Sequence, residues 1–127
     1  MKKPTWIRDD IVFAVHDRQL AEHGGAPGVR DTGLLESALN APKQMFHYDK
    51  KADLLKLAAA YGYALSSNHP FVDGNKRTAY VCMRLFLVLN GKDIVAEKEE
   101  KIRVMLHLAA GRIDREALAT WLRTHTC

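Results

Sequence analysis

Cysteine is scarce in this chain of 127 residues: only Cys82 and Cys127 occur, and no Cys-x-x-Cys pair exists. That scarcity excludes a zinc–thiolate cluster and a disulfide framework, and it fits a reducing cytoplasm. Long hydrophobic runs are also missing; none approaches the roughly 20 apolar residues that a membrane span needs. Met1-Lys2-Lys3 is basic, but the following Pro4-Thr5-Trp6-Ile7-Arg8 is no apolar leader core, so no secretory signal is expected. Repeats, low-complexity tracts and interdomain linkers are absent from the sequence. His23, His47, His107 and His125 have no metal-ligand spacing to one another. His69 and Asp73 are four apart, but Pro70 argues against a shared helix face, so no zinc site is expected.

What is present is an ordinary globular composition, 47% hydrophobic and 27% charged. One domain covering residues 1–127 is expected, long enough to bury a core without staples. The net charge is +4. Mild basicity suits a nucleotide, a nucleic acid or an acidic protein, and equally a solvated surface with extra lysines.

Between Gly- and Pro-containing marks the apolar spacing is helical. Helices are expected at about residues 8–22, 32–40, 53–67, 75–90, 97–110 and 114–123, with Asp53 and Asp114 as N-caps. The first should bury Ile7, Ile11, Ala14 and Val15, and the fifth Ile102, Met105, Leu106 and Ala109. Residues 80–89 are apolar on most sides, which marks a central helix. Ala41-Pro42 reads as a break, leaving the segment from Ala41 to Tyr48 open to a small hairpin or flap. Lys92-Asp93-Ile94-Val95 reads as a short extended piece. The fold class is therefore all-α, a single-domain bundle of about six helices.

The most informative stretch is His69-Pro70-Phe71-Val72-Asp73-Gly74-Asn75-Lys76-Arg77. Asp73-Gly74-Asn75 is turn chemistry feeding directly into a helix, whose first N–H groups lack acceptors and carry partial positive charge. Gly74 permits close backbone approach to a ligand. Lys76 and Arg77 add two cations where a helix disfavours them, which makes sense if an anion binds there. Arg77 offers the bidentate geometry that phosphate accepts. Asp73, beside such phosphates, suits Mg²⁺. An imidazole suits proton transfer near neutral pH, which makes His69 a candidate general base. Phe71 should point into the core. Each piece alone is common; their conjunction in nine residues is specific.

These residues resemble the signature of the Fic/Doc family, His-x-Phe-x-Asp/Glu-Gly-Asn-x-Arg. Within it the chain most resembles the death-on-curing (Doc) toxins of bacterial toxin–antitoxin pairs. Gly24-Gly25-Ala26-Pro27-Gly28-Val29-Arg30-Asp31, then Gly33-Leu34-Leu35-Glu36-Ser37-Ala38, extends the likeness, as do Asn75-Lys76-Arg77-Thr78-Ala79 and Asn90-Gly91. The resemblance implies an all-α bundle with the signature loop between two central helices. It implies that His69 is the base and Asp73 holds Mg²⁺. Gly74 and Asn75 would bind the phosphates of ATP through backbone N–H groups and the amide. Lys76 and Arg77 would neutralise them and the transition state, Arg77 being catalytic. The segment 41–48 sits where the family has a flap that aligns the target by β-pairing.

Two departures from the wider Fic pattern bear on chemistry. Most Fic enzymes transfer AMP and carry glycine where Lys76 stands, and a second arginine where Tyr80 stands. The Asn-Lys-Arg form of the Doc branch implies reversed ATP, γ-phosphate transfer, and a threonine of elongation factor Tu as target, halting translation. AMP transfer, or a non-enzymatic basic binding module, stays open as an alternative. No recognition-helix motif or aromatic–basic interleaving is visible, so direct nucleic-acid binding is not expected. The wider family's inhibitory helix reads Ser/Thr-x-x-x-Glu-Gly/Asn; here Thr32 to Glu36 is followed by Ser37. Without that internal inhibitor, a separate antitoxin is expected, with a tail that folds on binding. His16 reads as a core or helix–helix hydrogen-bonding residue.

Overall fold

Helix α3 (Leu54–Asn68) runs through the centre of the molecule, and its composition explains why it can. Ala58, Ala59, Ala60, Gly62 and Ala64 are all buried, and side chains this small let neighbouring helices approach closely. The computed structural model describes residues 2–127. Around α3 lie α1 (Asp9–His23), α2 (Thr32–Tyr48), α4 (Asn75–Leu89), α5 (Lys98–Ala109) and α6 (Arg115–Thr124). Helices α2, α4 and α6 make the main contacts with α3, while α1 packs on α4. Gly62 marks a close approach: a Cβ there would lie 2.8 Å from Sδ of the buried Met83 on α4.

The helix starts follow from capping chemistry. Carboxylates of Asp31, Asp53 and Asp114 accept the N–H groups of Leu34, Lys56 and Ala117 at 2.8–2.9 Å, satisfying donors that the first turn leaves free. Aromatic packing closes the core at one side. Trp6 stacks on Phe86 and meets Phe46 edge-on, and Tyr61 lies against Phe86. Tyr61 Oη accepts the Ile7 N–H at 3.3 Å, and burial pushes its hydroxyl up to about 12.

Three expectations need correction. The segment from Ala41 to Tyr48 forms no hairpin or flap; it continues α2. Pro42 forgoes one helical hydrogen bond, but its ring is buried and lies on the same stripe as Leu35, Ala38, Leu39 and Met45. On α1 the buried positions are Val12 and His16, while Ile11 is 39% exposed and Ala14 lies outside. On α5 Val104, Met105 and Leu108 are buried, while Ile102, Leu106 and Ala109 face outward. Both helices carry apolar residues on two faces, so spacing alone could not choose between them. Residues 92–95 are extended, as expected. They pair through backbone bonds with residues 125–127, around an isolated bridge between Ile94 and Thr126. No longer strand occurs among the described residues.

Candidate active site

The site is the loop between the C-terminus of α3 and the N-terminus of α4. Pro70 has no N–H and cannot extend α3. Helix α3 closes on His69, whose backbone is left-handed (φ 48°, ψ 54°). It is the one non-glycine residue with positive φ among the described residues. That conformation costs an L-residue about 1–2 kcal/mol, and a following proline disfavours it further. It turns the chain sharply and leaves the imidazole exposed.

Phe71 anchors the loop. It is 1% exposed, its ring stacks on His16 at 3.8 Å and 10°, and Phe13 meets it edge-on at 6.4 Å. The Asn75 amide grips the same residue from the other side: Oδ1 accepts the Phe71 N–H and Nδ2 donates to the Phe71 carbonyl, both at 2.9 Å. Asn75's side chain is thus occupied within the loop, while its backbone N–H has no protein acceptor among the described residues.

Asp73 is held at three points. His16 Nε2 lies 2.8 Å from its carbonyl oxygen. The Gly74 N–H donates to Oδ1 at 2.9 Å, and the Ala26 N–H, from the loop after α1, donates to Oδ2 at 3.3 Å. Gly74 is left-handed (φ 77°, ψ 15°) and starts α4. A Cβ there would meet Leu20 at 3.4 Å and His16 at 3.7 Å, ordinary contact distances, so it is the left-handed backbone that calls for glycine.

The first turn of α4 carries backbone donors without described partners. No side chain caps it, and the N–H groups of Asn75, Lys76 and Arg77 have no protein acceptor among the described residues. Neither Lys76 nor Arg77 pairs with a described carboxylate. Both are exposed, and they border an open cleft of about 550 Å³ floored by Tyr80, Val81, Ile102 and Met105. His69 and Asp73 lie outside that cleft's lining. Tyr80 is a neutral neighbour: its hydroxyl is buried without a partner, and burial raises its pKa, opposed by Arg84 and aided by Asp93.

The donor set suits magnesium. Asp73 presents hard carboxylate oxygens beside the anion-binding turn, and Mg²⁺ usually takes one or two carboxylates plus phosphate oxygens and water. No cluster of three or more His, Cys, Asp or Glu occurs among the described residues, so phosphate oxygens and water would complete such a shell. His16 is the buried, hydrogen-bonding residue its sequence reading expects, but its partner Asp73, and the approach of Gly25 and Ala26 to the same residue, were not legible. Contacts across 47 or 57 residues leave no signal in local spacing.

The Fic/DOC family profile matches residues 6–87, which includes the whole loop. The chain is 32% identical over 117 residues to the protein kinase doc of Escherichia phage P1, covering 92% of each chain. It is 41% identical over 75 residues to the toxin Doc of Mycolicibacterium smegmatis, covering 58% of each. This chain belongs to the Fic/Doc family. No described helix is long and apolar enough to cross a membrane.

Proposed function

We propose that this chain is an ATP-dependent protein phosphotransferase, the toxin of a toxin–antitoxin pair. The observation that carries the reading is the start of α4. Three N–H groups without acceptors and two unpaired cations stand there, in the same loop as an exposed imidazole. His69 takes the proton of a target hydroxyl as its oxygen bonds to the γ-phosphorus of ATP. The bond from that phosphorus to its bridging oxygen breaks, and ADP leaves. The N–H groups of Asn75, Lys76 and Arg77 hold phosphate oxygens, and the two side chains neutralise the charge that develops. Asp73 would hold Mg²⁺, which when bound would offset phosphate charge.

Phosphate transfer is favoured over AMP transfer by Lys76 and Tyr80, and by the similarity to a relative named as a protein kinase. We take the target to be a threonine of elongation factor Tu. The proposed antitoxin would present an acidic, amphipathic tail. The cleft between α1, α4 and α5 supports this, with Lys76, Lys98 and Lys101 at its rim above an apolar floor. A tail lying there would cover Lys76 and Arg77.

Intact-mass analysis of elongation factor Tu, incubated with the protein, ATP and Mg²⁺, tests the reading. A gain of about 80 Da, absent with His69→Ala, is expected; a gain of about 329 Da would instead mean AMP transfer. No gain with elongation factor Tu would remove that target from the proposal.

A further inference from the structure

Resting on the phosphotransferase reading, we propose that Arg30 is a positioning residue for His69. Its guanidinium forks across two successive carbonyls at the end of α3. Nη2 donates to the Asn68 oxygen at 2.9 Å and Nε to the His69 oxygen at 2.7 Å. The backbone of the same segment completes the clamp: the N–H groups of Arg30 and Asp31 both donate to the Pro70 oxygen, at 2.7 and 3.1 Å. Val72 N–H donates to Gly28 oxygen at 3.0 Å, and Val29 bridges Phe71.

The carbonyls Arg30 engages are those that the end of a helix leaves without intrahelical donors. They also lie at the negative end of the helix dipole, where a cation is favourable. They flank the strained left-handed linkage of His69, so the fork stabilises the conformation that presents the imidazole. Nothing else among the described side chains bonds to either carbonyl. Arg30 forms no salt bridge with a described carboxylate, so its charge is not committed elsewhere. Asp31, the next residue, caps α2, which seats the clamp on a helix start. A lysine could supply the charge but not two donors in a planar fork.

The test has two arms, run on the full chain with Arg30→Ala and Arg30→Lys, and Arg8→Ala as a surface-arginine control. The first arm needs no activity: NMR shifts of His69 Cα and Cβ report its backbone conformation. They should leave the left-handed range in Arg30→Ala, move less in Arg30→Lys and stay put in Arg8→Ala. Unmoved shifts in a folded Arg30→Ala would overturn the proposal, and if that variant does not fold, Arg30→Lys decides by the same criterion. The second arm measures phosphate transfer. For Arg30→Ala, kcat should fall about tenfold or more while KM for ATP stays within about twofold, since the α4 phosphate site is untouched. Arg30→Lys should recover part of the loss. An unchanged kcat in Arg30→Ala, or kcat and KM worsening together without rescue by lysine, would overturn a positioning role. If the wild-type chain transfers no phosphate to elongation factor Tu, that target leaves the proposed function, and the NMR arm alone decides Arg30.

Discussion

His16 Nε2 meets the Asp73 carbonyl oxygen at 2.8 Å while its ring lies flat on Phe71. One buried side chain on α1 therefore fixes two residues of the candidate active-site loop. A carbonyl only accepts, so Nε2 carries the hydrogen of this bond. His16→Ala removes that bond and opens a cavity beside Phe71. It should destabilise the fold by about 2–3 kcal/mol in urea denaturation, with His16→Asn losing less. A variant as stable as the parent would mean that the loop is held without α1.

Gly25 and Gly24 both have positive φ, but only Gly25 faces Asp73. A Cβ on Gly25 would lie 3.0 Å from Asp73 Oδ2 and 2.9 Å from Leu20, whereas one on Gly24 meets nothing within 4 Å. Both alanine variants should lose about 1 kcal/mol of stability from backbone strain. Only Gly25→Ala should also raise the Mg²⁺ concentration needed for half-maximal phosphate transfer, because it displaces the carboxylate. Equal magnesium dependence in the two variants would separate the loop after α1 from the proposed metal ligand.

The pair Arg84–Asp93 sets an acid limit. Arg84 donates from Nε and Nη2 at 2.8 and 3.1 Å, which holds the Asp93 carboxyl at about 2; desolvation opposes this and the Ile94 N–H assists. A depressed carboxylate pKa contributes stability above its unfolded value, about 3.9, and loses it as pH falls through the folded value. Stability should therefore decline between about pH 4 and pH 2, and less so for Asp93→Asn. The effect should be small and weaker in high salt, because both side chains are about half exposed. Urea midpoints measured across that range check the slope.

Cys82 is fully buried on α4, and burial pushes its thiol up to about 12, while Cys127 is exposed. A thiol reagent at neutral pH should label Cys127 alone in the native protein, and both after denaturation. Native labelling of Cys82 would show that α4 opens from the core.

Much of the fold was legible because helices are local. Apolar spacing and the carboxylates of Asp53 and Asp114 located five helices to within a residue or two at most boundaries. Pro42 hid the second half of α2, since its buried ring lies on a stripe whose value depends on α3 being there. The faces of α1 and α5 were hidden for a related reason. Which apolar side is covered depends on neighbours that the periodicity does not name. The signature loop was legible as a contiguous string, including the buried Phe71. Its supports were not: His16, Ala26 and Arg30 reach it from distant parts of the chain, and the left-handed turn at His69 follows from no local preference of histidine before proline.

Gly62 has a consequence for the spacing of the reacting groups. It lies seven residues before His69, and Met83 lies eight after Asn75, about two helical turns from the site in each case. The contact of one glycine with one sulfur thus works as the pivot of a fixed caliper. Its jaws are the end of α3, with the proposed proton acceptor, and the start of α4, with the phosphate cradle. Widening that pivot with a larger side chain would alter the gap between the jaws without touching either one.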